Sequence, residues 1–163
     1  MNGRIEVSSA PGKGSTFTVY LTLDVDKEKE KIYGHTIYAS RLDSIRVLIL
    51  EKQDTDINML ASYLGRFGMH YKIADSEESA VRILETANSK KSNSFDLLIV
   101  DFETPAVGGF GFVKALRGNG KIKKLPEILM LLPMNRLDLL DRLKEHGVDM
   151  GIVKPIITSA LLN

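Results

Sequence analysis

Cysteine and tryptophan are both missing from this chain, and neither sign of charge is in excess. Its 163 residues carry 22 Lys and Arg against 21 Asp and Glu, a formal net charge of +1. Without cysteine there is no disulfide and no thiolate metal site, a composition that fits a reducing compartment. Without a surplus of positive charge, broad nucleic-acid binding and adhesion to a membrane surface are not expected. No apolar run approaches the roughly 18 residues that a membrane span needs. The opening stretch MNGRIEVSS has no apolar core of the signal-peptide kind. A cytoplasmic location is therefore expected for this segment, which leaves open a membrane anchor elsewhere in a longer parent.

What the chain does contain falls into three textures. Residues 1–23 alternate as RIEVSS and TFTVYLTL around the turn APGKGS, the pattern of a β-hairpin. Two strands alone are marginal in water, so this hairpin reads as the edge of a larger domain. Residues 24–44 carry a mixed charge run, DKEKEK, with little periodicity, and read as a linker with a solvated face. From residue 45 onward the pattern is regular. The short apolar runs VLIL (47–50), LLIV (97–100) and EILMLL (127–132), with HYKIA (70–74) and GIV (151–153), read as strands. Between them, Ile57, Leu60, Leu64 and Phe67 stand at helical spacing, and DSEESAVRILETA (75–87) opens with Asp75 and Glu78 like a capping box. Phe112, Val113 and Leu116 mark a third helix. Leu137, Leu140 and Leu143 mark a fourth that stops at Gly147, and ITSALLN begins a fifth that is expected to run on past Asn163.

Five strands alternating with helices predict an α/β fold, a doubly wound five-stranded parallel sheet covered on both faces. The common strand order for such a sheet is 2-1-3-4-5, and its functional crevice lies beyond the carboxyl ends of the strands where the order reverses. That places Asp101, at the end of the third strand, beside Glu51 and Lys52 at the end of the first. The plainer reading of Asp101 is that it caps the turn that follows it.

The stretch LIVDFETPAVGGF, with Asp101, Pro105 and Gly109 at four-residue intervals, resembles the receiver domain of two-component signalling proteins. So does GVDMGIVKP, with Lys154 and Pro155 after the fifth strand. The likeness covers residues 45–163. The hairpin GRIEVSSAPGKGSTFTVYLTL resembles the last two strands of a histidine-kinase ATP-binding domain, including its final glycine box. The three parts in this order resemble the layout of a hybrid sensor histidine kinase: a kinase remnant at 1–23, a linker at 24–44 and a receiver at 45–163. GKGST lacks the spacing of a phosphate-binding loop and does not lead into a helix. The hairpin alone has no other nucleotide box and is expected to be structural, and the fragment is not expected to be an enzyme.

A receiver of this family accepts a phosphoryl group on its aspartate. Position and electrostatics stabilise the transferring group, and Mg²⁺ sits among oxygen ligands. The resemblance implies Asp101 as the phosphoacceptor and Lys154 as the contact to phosphoryl oxygens. It also implies an acid pair after the first strand, a hydroxyl after the fourth strand and an aromatic residue shortly before the lysine. Here the acid pair falls on Glu51 and Lys52, the hydroxyl position on Leu132 with Leu131 before it, and the aromatic position on Gly151. An ammonium at Lys52 offers no oxygen and repels a metal. Lys52 and Lys154 are expected to flank Asp101 and keep it ionised.

Two readings follow. In the first the domain is a degenerate pseudo-receiver that regulates by protein docking and needs no cofactor. Its partners would be the histidine-kinase core, another receiver, a phosphotransfer domain or a second copy of the chain. In the second it is a genuine Mg²⁺-dependent phosphoacceptor, with Glu51 and Asp101 holding the metal and Lys52 turned outward on its flexible stem. A cofactor-binding flavodoxin-like protein would need a phosphate cradle after the first strand, and EKQDTD is acidic and free of glycine. His35, His70 and His146 are scattered and read as ordinary. KIKK (121–124) and NSKKSNS (88–94) read as solvated loops, the second long enough to be mobile and open to cutting.

Overall fold

The computed structural model describes residues 3–24, 42–89, 94–157 and 160–161. The linker at 25–41, the centre of the NSKKSNS loop and most of the last expected helix lie outside them. The described residues fall into two units, divided near residue 36.

In the first unit, β1 (Arg4–Ala10) and β2 (Gly14–Tyr20) form the expected antiparallel hairpin. The register sets Ile5 opposite Val19 and Val7 opposite Phe17. Side chains in direct register share a face, so these four make one apolar face. It is uncovered in this unit, with Ile5 68% and Phe17 69% exposed.

The second unit is built on five parallel strands: β3 (Arg46–Leu50), β4 (His70–Ala74), β5 (Leu97–Asp101), β6 (Glu127–Leu132) and β7 (Met150–Val153). Their order is β4-β3-β5-β6-β7, the expected 2-1-3-4-5 arrangement. Three helices connect them: α1 (Asp54–Arg66), α2 (Glu77–Ser89) and α3 (Gly108–Arg117). Strand residues alternate between two cores. On one face Leu48, Val100 and Met130 meet Leu84 of α2 and Phe112 and Leu116 of α3. On the other, Val47, Ile99 and Leu131 meet Leu60 and Leu64 of α1. The central strands are buried on both faces, which is why VLIL, LLIV and ILMLL read as continuous apolar runs.

Two local expectations need correction. The cap of α2 is Ser76, whose Oγ accepts from the Ser79 backbone N–H at 3.2 Å. The predicted capping box of Asp75 and Glu78 is off by one residue. The helix expected between β6 and β7 is two short 3-10 turns, Leu137–Arg142 and Lys144–His146. The residues that face the core are Leu139 and Leu143, whereas Leu137 and Leu140 are exposed. The segment does stop at Gly147, which adopts φ 73°, in the left-handed region that favours glycine.

Candidate functional site

At the carboxyl ends of β3 and β5, two acids lie almost wholly inside the protein: Glu51 is 1% exposed and Asp101 is 1% exposed. Buried carboxylates need partners, and each has several. Glu51 Oε1 accepts from the backbone N–H groups of Lys52 and Gln53 at 2.7 and 3.0 Å, and from Thr104 Oγ1 at 3.0 Å. Asp101 Oδ1 accepts from the N–H groups of Glu103 and Thr104 at 2.8 and 2.9 Å. Asp101 thus does cap the turn after its strand, and Thr104 ties that turn to Glu51. The same loop is anchored to α2 by the Ala106 N–H, which donates to Glu77.

The other carboxylate oxygens converge on Lys154. Its Nζ lies 2.5 Å from Asp101 Oδ2, 2.5 Å from Asp56 Oδ2 and 3.3 Å from Glu51 Oε2. Lys154 is the one group that meets Asp101 Oδ2 among the described residues. Partial burial lowers the affinity of Lys154 for its proton. The contacts with Asp101 and Asp56 and the charges of Asp101 and Glu51 outweigh that, and its pKa is held above that of a free lysine. Lys154 leads into a cis peptide bond with Pro155.

Asp56 belongs to no motif in the sequence and lies within the acidic stretch EKQDTD. The available signal was its place in the first turn of α1, which starts at the carboxyl end of β3. A helix N-terminus favours a carboxylate there and aims it at the same crevice.

Lys52 is not where the sequence suggested. Its side chain is exposed, and among the described residues it pairs with neither Asp101 nor Glu51. Its backbone N–H, not its ammonium, serves the site. The hydroxyl position also moves. Asp101 is in register with Leu131, and Leu131 belongs to the core on the α1 face. Leu132 points into the opposite core. The residue at the end of β6 that shares a face with Asp101 is therefore Leu131, not Leu132, and both are fully buried. At Gly151 a Cβ would stand 2.5 Å from Leu143 Cδ1 and 3.3 Å from Leu140 Cδ2. The space beside the aromatic position is filled by leucine. Gly109, four residues after Pro105, has a packing reason: a Cβ there would lie 2.9 Å from Met130 Cε and 3.1 Å from Phe102 Cα.

As arranged, these residues do not fit Mg²⁺. The two buried acids already accept from protein donors, and Lys154 occupies the space that the three carboxylates share. Among the described residues no group of three or more acid, imidazole or thiol side chains is placed to hold a metal.

No family profile matches the chain. Its curated relatives include sensor kinases and two-component response regulators. Across 99% of its length the chain is 26% identical to the autoinducer 2 sensor kinase/phosphatase LuxQ of Vibrio parahaemolyticus, of which it covers 18%. It thus spans about a fifth or less of the curated relatives that it matches most fully. Among solved structures it resembles the chemotaxis protein CheY4 of Vibrio cholerae, with a TM-score of 0.60 and 27% identity over 72% of this chain and 92% of the other. The receiver domain of Ssk1 from Saccharomyces cerevisiae, crystallised with the phosphotransfer protein Ypd1, matches with a TM-score of 0.59 and 24% identity. That match covers 72% of this chain and 83% of the other. The second unit has the receiver fold.

Proposed function

We propose that the chain is the receiver-like segment of a hybrid sensor histidine kinase, in which residues 45–163 act as a pseudo-receiver that regulates by docking. The observation that carries this reading is the loss of the groups around Lys154, a residue that the resemblance also gives to a working receiver: Leu131 stands beside Asp101 where a hydroxyl is expected, and a lysine replaces the second metal-binding acid. Lys154 itself sits among Asp101, Asp56 and Glu51. The internal ammonium supplies the positive charge that a phosphorylatable site draws from its metal. Leu131 in place of a hydroxyl, and Gly151 closed over by Leu143, support the same reading. A phosphoryl group on Asp101 would find neither the donor that moves nor the aromatic residue that follows it.

The partner proposed is the kinase core of the parent protein. Similarity to LuxQ that runs through the hairpin supports the view that residues 1–23 end a kinase ATP-binding domain. The exposed Met134, Leu137, Leu140 and Met150, on and beside the 3-10 segment, supply apolar surface for docking. Ssk1, a receiver crystallised with its phosphotransfer partner, supports docking by this fold in general.

Three observations favour a second reading, a working phosphoacceptor. Lys52 is turned to solvent as that reading requires, Asp101 Oδ2 meets only Lys154, and Asp56 restores a carboxylate that the exchange at Lys52 removes. Incubation with acetyl phosphate and Mg²⁺, followed by mass spectrometry, separates the two. The pseudo-receiver stays unmodified while the kinase core, mixed with it, still forms a complex. A phosphoryl group found on Asp101 overturns the reading.

A further inference from the structure

A second charged feature lies away from the acidic crevice, between the outer flank of α2 and the edge strand β4. A cavity of about 400 Å³ is lined there by Arg46, Lys72 and Arg82, over a floor that includes Ile83, Ala87 and Phe95. Its size falls within the roughly 300–1,000 Å³ of small-molecule sites. Three elements converge on it. Arg46 opens β3, Lys72 stands at the middle of β4, and Arg82 projects from α2. Register puts Lys72 beside Leu48, whose side chain packs on the α2 face, so Lys72 and α2 share one side of the sheet.

Among the described residues none of the three cations forms an ion pair, although Glu78 and Glu85 stand four and three residues from Arg82 on α2. Asp96 accepts from the Arg46 backbone N–H at 2.9 Å and not from its guanidinium. The guanidinium instead lies over the Phe95 ring, with Cζ 5.5 Å from the ring centroid. Charge on an exposed edge strand often serves only to prevent edge-to-edge pairing. That accounts for Lys72 but not for Arg82 on the helix or Arg46 on the strand behind.

We propose that this cavity binds a phosphate monoester carried on an apolar or aromatic body. Three converging cations match a dianion better than a single carboxylate. Arg46 and Arg82 offer forked donors that suit phosphate oxygens. Ser79, also on the wall, adds a hydroxyl. The floor of Ile83, Ala87 and Phe95 takes the apolar body, which free phosphate lacks. The site does not depend on Asp101 being phosphorylated or inert.

The test is an amide NMR titration of the full 163-residue chain with phenyl phosphate, repeated with inorganic phosphate and with phenol. The expected result is saturable shifts at Arg46, Lys72, Arg82, Ile83 and Phe95, with a dissociation constant on the order of 1 mM. Phosphate alone and phenol alone should each bind at least ~10-fold more weakly, because each lacks half of the recognition. Lys72→Gln and Arg82→Gln alter exposed side chains and leave the fold intact. Each should weaken phenyl phosphate binding by about 5-fold, and added salt should weaken it further. Several outcomes overturn the proposal: shifts that do not saturate, shifts centred on Glu51, Asp101 and Lys154, equal binding of inorganic phosphate, or no effect of either substitution.

Discussion

The carboxyl end of the sheet has two halves that differ in kind. Around β3 and β5 it is polar and fully engaged: Glu51, Asp56, Asp101, Thr104 and Lys154 satisfy one another almost completely. Around β6 and β7 it is apolar and shut, with Leu131 buried and Leu143 pressed against Gly151. A receiver uses the first half to take a phosphoryl group and the second to report it. In the proposed reading the first half keeps its charges, three carboxylates about one ammonium, and the second offers no hydroxyl or aromatic group to respond. The difference teaches that a crevice can keep its charges while the half that would report on it is closed. Buried charges are hard to remove one at a time, because each deletion strands the others, whereas apolar replacements at Leu131 and Gly151 simply join the core.

The comparison can be broken most forcefully at Lys154. Lys154→Met leaves three carboxylates facing one another, two of them buried, and should cost about 3–5 kcal/mol in urea unfolding at neutral pH. A loss below about 1 kcal/mol, the size of an exposed pair, would show that the charged half is not held together by its ammonium. The sign of the pH dependence follows from the raised pKa of Lys154. Its contribution is fully present below the pKa of an unfolded lysine, near 10.5, and is lost only as pH rises through the higher folded value. The wild-type chain should therefore show no loss from this group between pH 7 and about 10, measured as the urea midpoint across that range.

The apolar half is tested at Leu139, Gly151, Leu143 and Leu137. Leu139→Ala removes a side chain only 1% exposed and should cost about 2–5 kcal/mol. Gly151→Ala drives a methyl group into Leu143 and should cost about 1–3 kcal/mol. Combined with Leu143→Ala, the pair should cost less than the sum of the singles, because the cavity and the clash cancel; additive losses would mean that Leu143 does not close the position. At the small end, Leu137→Gln changes an exposed residue and should shift stability by less than about 0.5 kcal/mol. A loss as large as that of Leu139→Ala would mean that the helical phase read from the sequence, with Leu137 inward, is correct after all.

The frame of the fold was legible because it rests on apolar runs that mark the strands buried on both faces. Val47–Leu50 and Leu97–Val100 could be placed as neighbours before any coordinates, and with them Glu51 and Asp101. What escaped the sequence has local causes. The spacing of Leu137, Leu140 and Leu143 suggests one inward face, but the segment is broken into two short 3-10 turns, and Leu139 and Leu143 face the core while Leu137 and Leu140 face solvent. The one-residue slip from Leu131 to Leu132 inverted a face, because strand side chains alternate and only the register of β5 with β6 resolves which leucine stands by Asp101. Lys52 was placed by alignment to an acid, yet its backbone turns at the start of α1 and sends its side chain to solvent. Asp56 was hidden because four residues separate it from Glu51, and only the strand-to-helix turn brings the two to one ammonium.

The central claim, that Lys154 stands where a receiver would hold its metal, is tested most directly by amide NMR on the wild-type chain during addition of Mg²⁺ and then beryllofluoride, a phosphoryl mimic. The account predicts that the signals of Glu51, Asp56, Asp101 and Lys154 stay in place at millimolar Mg²⁺ and ignore the mimic. Saturable shifts at those residues, spreading to Leu131 and the 3-10 segment, would contradict it and make Asp101 a phosphoacceptor.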